Sequence, residues 1–591
     1  TNPGASGVFF VQIWSERSFA GDKFDWNAQL VSAGGNGDLP PACPNGLIPE
    51  SEGVGPNPSS RNPCGDPAVS DPISTRTGNL HMPVVGLGID GRGPSMAVNP
   101  TYNSLEADTI GSAGFGWSTE IDMRVISQGQ NRVVVQENGT TAGFAPDGLG
   151  WKAPGRLVAT LAEIPGGGWE FTRRHFEHFV FDVSGRLAAV RDRFGNETQY
   201  VRDGSGRVQY VEDSAGRRLV FEWDGDRLDS VADHPSVGDR SIHFDYDTTG
   251  NLTSFVDVGG GVWSFSYDGD HQMVTMRRPA QQGGPADALV RNTYDHMGRV
   301  VEQLDALGQA TRLSYFEPEA GSTTVTYPSG RQQIFEFDDF GCSAVVSAPG
   351  TALEEEVAYV RDPVTLALEQ VTSPAGVVVF ENDVRGNRVM ARDASGRVTR
   401  WTYNSFDQVT SVSVGETAAP LPPSTANVVT STVAYNADGM PETVVDAVGT
   451  PDEASTSLVY DPAHRDDLVE VIDGRSQHWT YSYDPGTGDL RSVTDPLGNK
   501  TSMGYDPIGR LEWMVSPKGN TVGADPDQWK TRLVSDEFGR VVEETDPLGN
   551  RVKTGYDANG NMVRVETGLS ATVTTGDVTT YGYDVVGQMV S

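Results

Sequence analysis

"YDPIGRLEWMVSPKGN" (residues 505–520) reads as the end of one strand, a tight turn and a second strand, and the chain repeats it in variant form more than a dozen times. "DPLGNKTSMGYDPIGR" (495–510) and "DPLGNRVKTGYDANGN" (546–561) agree at Asp-Pro-Leu-Gly-Asn, at Gly-Tyr-Asp and at the closing Gly. An aromatic-Asp-x-x-Gly core recurs at Tyr246, Tyr267, Tyr294, Phe337, Tyr483, Tyr505, Tyr556 and Tyr583, with looser copies at 403–409, 435–441 and 535–541. Tyr246 and Tyr267, Tyr483 and Tyr505, and Tyr556 and Tyr583 stand 21, 22 and 27 positions apart, a spacing that signals a repeat array.

The formula has a mechanical reading. Tyr481 and Tyr483 lie two apart, so both rings share one face of a strand. Asp-x-x-Gly then turns the chain: Asp bonds the backbone ahead of it, and Gly takes the positive φ that a β-carbon opposes. The following strand carries Leu511, Trp513 and Val515 on one side. Each copy is therefore a hairpin. A lone hairpin is marginal in water, so each must pair with the next, and by about 14 copies the accumulated twist of roughly 20° per strand curls the sheet on itself. Curling also hides sheet edges that invite aggregation.

Composition agrees with one folded body. Among 591 residues, 69 Gly and 36 Pro punctuate apolar alternations, and 11 Trp, 18 Tyr and 22 Phe supply core bulk. From about residue 66, "DPISTRTGNLHMPVVGLGIDGRGPSMAVNPTYNS" and "GFGWSTEIDMRVISQGQNRVVVQENG" alternate with period two, and almost no helical period appears; the chain is expected to be all-β. Residues 1–65 read as an irregular Pro/Gly-rich leader. There Cys43 and Cys64 either form a bridge worth roughly 3 kcal/mol or remain two thiols. Cys342 reads as a small buried side chain. No apolar run approaches a membrane span, and a chain opening at Thr is expected to be a processed or excised piece.

The net charge of −36, from 44 Lys and Arg against 80 Asp and Glu, argues against nucleic acid as a partner. Candidate chemistry is weak throughout. In "RRHFEHFVF" (173–181), His175 and Glu177 share one face of a strand and His178 takes the other, so no metal site is expected. Adjacent carboxylates at 338–339, 354–356 and 466–467 follow from abundance and read as solvated surface, and no Gly-rich loop precedes a helix. No catalytic residue and no cofactor are expected. Sequons at Asn138, Asn196, Asn251 and Asn499 matter only in a glycosylating host.

"YDPIGRLEWMVSPKGN", "YDANGNMVRVETG", "YDHMGRVVEQLDALGQ" and "TDPLGN" resemble the YD repeats of RHS proteins, of the teneurin shell and of the BC components of Tc toxins, and the 71–125 stretch is similar to the module that precedes such repeats in bacteria. The resemblance covers about residues 66–591. It implies a leader (1–65), a β-rich module (66–165) and an RHS/YD-repeat shell (166–591): a long spiralling antiparallel sheet of hairpins forming a hollow barrel or cocoon. It further implies a secreted or surface-displayed protein whose shell encapsulates or presents its own C-terminal effector, with any self-cleaving activity in a C-terminal part. The alternative is a cell-surface adhesin or wall-associated carbohydrate-binding protein, with surface glycans as partners. The residues expected to carry the role are structural: Tyr267, Tyr294, Tyr483, Asp484, Tyr505, Asp506, Gly509, Tyr556, Asp557, Gly560 and Tyr583, with Gly298 and Gly539 as further turn glycines. The sequence stops in mid-repeat at "YGYDVVGQMVS", and its two Asp-Pro-Leu-Gly segments read as turns rather than cleavage junctions.

Overall fold

The computed structural model describes residues 68–590, apart from 70–71, 149, 155–156, 174–175, 235–238, 283–287, 340 and 585–586. Cys43, Cys64 and the leader lie outside the described residues, as does His175. Every regular element described is a β-strand or a short 3-10 turn. Thirty-seven of the strands, from Ala159–Glu163 to Asp577–Thr580, form one antiparallel sheet in which each strand pairs with its neighbours in sequence.

One turn explains how the sequence builds this sheet. Asp506 N–H donates to Arg510 O (2.9 Å) and Gly509 N–H to Asp506 O (3.0 Å). Asp506 Oδ1 accepts from Ile508 and Arg510 N–H (3.0 and 2.9 Å), while Arg510 Nε donates to Oδ2 (2.5 Å). The carboxylate thus replaces ladder bonds that the chain forfeits in reversing direction. Gly509 sits at φ +88°, where a β-carbon would be strained, and the register slips by one residue between Gly504 and Tyr505. The same closure recurs with Asn in place of Arg: Asn561 Nδ2 donates to Asp557 Oδ2 at 3.0 Å, with Gly560 at φ +86°.

The repeat tyrosines mark one edge of the strip. Tyr483 hydroxyl donates to Leu468 O (3.0 Å), the first residue of the neighbouring strand. Tyr403, Tyr435 and Tyr460 do the same to Arg388, Val409 and Pro441, and Tyr246 donates to Leu228, the second residue of its neighbouring strand. Each phenol therefore ties its own hairpin to the one before, along what we term the tyrosine edge. The turns at 192–195, 213–216, 257–260, 495–498 and 546–549 lie on the opposite edge.

The strip coils. Arg193, on the opposite edge, donates to the carbonyl of Asp438 on the tyrosine edge, 245 residues later. Arg465 donates to Phe194 O across 271 residues, and Arg240 to Glu537 O across 297. The opposite edge of the first turn of the coil thus abuts the tyrosine edge of the second.

A module of short strands before the sheet packs on one face of the first turn. Ile73, Leu87, Met96, Tyr102 and Trp117 share a core with Leu219, Leu228, Phe244, Phe255, Phe265 and Met273. Trp117 is 2 % exposed and donates its indole N–H to Tyr267 hydroxyl at 2.8 Å. Its ring centroid lies 5.0 Å from Phe265 and 5.5 Å from Tyr102. The module also seals the tyrosine edge of that turn: Val300 N–H donates to Gly78 O, Leu228 N–H to Ser112 O, and Phe115 stacks on His271 at 3.8 Å. A second core, with Phe144, Phe171, Phe179 and Phe181, joins the four-stranded sheet of Arg124–Gln128 through Gly150–Lys152 to the start of the long one.

Candidate functional site: the seam between turns of the coil

The seam is where the coil closes, and charged groups concentrate along it. Its centre is the loop 90–95 of the module, which wedges between the two turns. Arg92, with only 5 % of its side chain exposed, donates from Nη1 to Asp466 Oδ1 (2.6 Å) and from Nη2 to Asp467 Oδ2 (2.8 Å) and Asp484 O (3.4 Å), all in the second turn. Its own carbonyl accepts from Ser214 hydroxyl (2.5 Å) in the first turn, and Arg217 Nη2 donates to Asp90 O (2.7 Å). One loop therefore touches both sides. Burial raises the pKa of Asp467 against the lowering pull of Arg92, whereas hydrogen bonds from the Thr487 N–H and the Arg491 side chain hold Asp484 down at about 2.

Flanking contacts continue the seam. The Arg193 guanidinium stacks 3.7 Å from the Phe176 ring, and Phe176 lies 5.5 Å from Phe406 of the second turn. Gln408 Nε2 donates to Gly439 O (2.7 Å), and Arg465 pairs with Asp438. Further along, the Phe538 ring lies so close to Gly259 that an added β-carbon would stand 2.4 Å from Cε2. A side chain at that position would require the Phe538 ring to shift.

The structure places the residues singled out from sequence along the strip rather than in one locus. Tyr294 and Tyr583 donate to Met273 O and Met562 O (2.9 and 3.1 Å). Tyr267 accepts from Trp117, Tyr505 hydroxyl faces Met503 Sδ at 4.0 Å, and Arg540 lies 4.5 Å over the Tyr556 ring. Asp484, Asp506 and Asp557 each close a turn through Oδ1. Glu177 pairs with Arg173, and His178 contacts Thr172 and Glu170. Cys342 is a buried thiol whose Sγ–H donates to Ala344 O at 3.5 Å. Among the described residues no three His, Cys, Asp or Glu side chains are grouped to hold a metal ion.

Arg92 was not legible as a site residue. It sits in a glycine-rich run far from any repeat, and its partners lie 374 and 375 residues away. The run of acids at 466–467 was visible in the sequence, but as surface.

Comparison with known proteins places the seam and the sheet in context. The RHS Repeat family model matches residues 246–282, 486–521 and 536–573, and a domain of unknown function, DUF6531, matches 70–144. The chain is 24% identical over 273 residues to the tRNA(Glu)-specific nuclease WapA of Bacillus subtilis subsp. natto, covering 46% of this chain and 11% of that protein. It is 24% identical over 488 residues to double-stranded DNA deaminase toxin A of Burkholderia cenocepacia, covering 69% of this chain and 33% of that protein. A solved Photorhabdus luminescens Tc holotoxin pore is 13% identical, with a TM-score of 0.43, over 79% of this chain and 27% of that one. The chain thus spans between a tenth and a third of the length of these curated relatives. With three matched RHS repeats set in one continuous antiparallel sheet behind a DUF6531 domain, the chain is an RHS/YD-repeat protein.

Proposed function

We propose that this chain forms the wall of an extracellular compartment that encloses or presents the C-terminal effector of its own polypeptide. The observation that carries the reading is the seam: the sheet does not fan open but returns on itself, and its turns are locked together by Arg92, Arg193, Arg240 and Arg465. An open sheet with a binding face needs no such closure. Two relatives that share this architecture in sequence are a nuclease and a deaminase toxin, each far longer than the matched region, which supports an effector carried alongside the wall. Catalysis, on this reading, belongs to that effector and not to the wall.

The test is protease protection in the complete polypeptide. The C-terminal effector should survive proteinase K at concentrations that trim unprotected loops, and negative-stain images should show a lumen. An effector digested as fast as a freely tethered domain, or particles without a lumen, would overturn the proposal. Glycan binding is the competing use of the strand aromatics. Several strand tyrosines give their hydroxyls to backbone carbonyls and are partly buried, so a glycan array should return no hits.

A further inference from the structure

Arginines cross the contact between the module and the long sheet at several points, and one of them lacks a counter-charge. Arg92 is paired with Asp466 and Asp467, and Arg217 and Arg240, which donate to Asp90 O and Gly88 O of the module, are paired with Asp213 and Asp233. Arg76 differs. It reaches from the module to Asp338 O (3.2 Å), its one hydrogen-bond partner among the described residues, and its Nη1 is buried with none. A guanidinium drawn out of water is ordinarily paired with a carboxylate, because desolvating it alone is costly. Arg76 forms one wall of a cavity of about 280 Å³ between the module and the hairpin tips at 315–323 and 337–339. Arg299 forms another, with its guanidinium 4.4 Å over the Tyr315 ring and 5.0 Å over Phe316, while Arg76 lies 5.8 Å from the Phe337 centroid. Arg299 is committed to Asp295 through Nε (2.8 Å) and Nη2 (2.6 Å), so the uncompensated charge is that of Arg76. The cavity walls are rigid. Phe316 N–H donates to Ser322 O and Phe337 N–H to Gly321 O, both at 2.7 Å, and the Ser322 hydroxyl donates to Glu319 O at 2.7 Å. On the module side, a β-carbon added at Gly78 would stand 2.4 Å from Arg299 Cβ, so the module is seated tightly here. Phe316 sits at φ +63°, which a bulky residue adopts only at a cost, and its ring stands 59% exposed beside the cavity.

We propose that this cavity binds a monocarboxylate carried on a flat apolar body, with the carboxylate against Arg76 and the body against Phe316 and Phe337. Three observations select that chemistry. An unpaired guanidinium needs an anion, and a carboxylate matches its fork of donors. The aromatic rings on the same walls offer faces to an apolar body, and the bare, strained Phe316 gains a contact it otherwise lacks. Asp338 and Asp339 also border the cavity and are exposed, so a second negative charge on the ligand is repelled, which disfavours phosphate monoesters and dicarboxylates. The cavity is smaller than a typical drug-sized pocket, which limits the occupant to one small acid or to the terminal residue of a peptide chain. Because Arg76 belongs to the module and the other walls to the sheet, a bound acid clamps the two together and stabilises the module against release. The inference is independent of what the wall encloses.

The experiment is isothermal titration calorimetry of the full chain with 3-phenylpropanoate, paired with hydrogen exchange. The acid should bind saturably and protect amides at 75–78 and 316–323, whereas 3-phenylpropanamide and phenyl phosphate should bind at least about tenfold more weakly. N-acetyl-Gly-Gly-Phe with a free carboxyl distinguishes the two sources of the carboxylate: affinity equal to or above that of 3-phenylpropanoate assigns a chain terminus, and lower affinity a small acid. Arg76→Gln should weaken 3-phenylpropanoate at least about tenfold, and D338N/D339N should admit phenyl phosphate. Phe316→Ser, at an exposed tip that the fold does not need, should weaken the acid at least about threefold, and it carries the test if the Arg76 variant unfolds. Equal binding of acid and amide, no saturable binding of the acid up to about 10 mM, or unchanged affinity in Phe316→Ser would each overturn the proposal. Protection confined to other segments would do the same.

Discussion

Replacing Arg92 by alanine should unlatch the coil without unfolding the strip. The guanidinium makes two carboxylate bonds and one carbonyl bond to the second turn, from a position almost wholly removed from water. Breaking a buried pair by removing one partner costs about 3–5 kcal/mol in the deepest sites. Asp466 keeps 21% of its side chain exposed and Asp467 10%, so solvent takes over part of their solvation, and about 2–3 kcal/mol is the expected loss. That corresponds to roughly a 30- to 150-fold rise in the equilibrium for opening the seam. Hydrogen exchange is the assay. Amides at the second-turn tips 461–467, 484–489 and 506–510 should lose protection by that factor, while Phe244, Phe255 and their neighbours in the first-turn core should not change. The triple variant R92A/D466N/D467N should recover part of the loss, because the stranded carboxylates are gone. Uniform loss of protection across both turns, or no change at the tips, would refute the latch.

Further outcomes follow from the same geometry. Gly509→Val forces a branched side chain to φ +88° beside Asp90 O, and should lower stability by about 1–2 kcal/mol or more in calorimetry, whereas Gly269→Ala, with open space around it and no positive φ, should cost less. Tyr483→Phe removes one phenol-to-carbonyl bond and should cost about 0.5–1.5 kcal/mol, read as faster local exchange at Leu468–Ile472. Trp117→Ala should cost about 3–5 kcal/mol and release the module from the sheet, visible as proteolysis between 100 and 120. Burial lifts Glu120 to about 7, above its value in an unfolded chain, so its ionised form is penalised in the fold. Stability should therefore rise as pH falls from about 7 toward 4.5, and Glu120→Gln should flatten that slope in a melting series. Asp484 behaves oppositely: its depressed pKa gives stability that is present above the unfolded value and lost as pH falls toward about 2.

Local chemistry was legible where it repeats. Asp506, Gly509 and Arg510 lie within five residues, so their turn follows from the reach of one carboxylate and the permissive φ of one glycine, and summing hairpins that cannot stand alone yields one antiparallel sheet. Two details of the repeat were less visible. The arginine after the glycine closes on its own aspartate, and the tyrosine hydroxyl crosses to a neighbouring strand; both depend on register, which shifts by a residue at each bulge.

The sequence alone determined the strand, the turn and the all-β class, because each rests on residues a few positions apart acting through sterics and short hydrogen bonds. Which hairpin meets which across the coil was decided only in three dimensions. Small increments of twist accumulate over many strands before Arg92 reaches Asp467 or Phe538 reaches Gly259. No local pattern encodes that sum, so the seam appears only when the whole strip is wound.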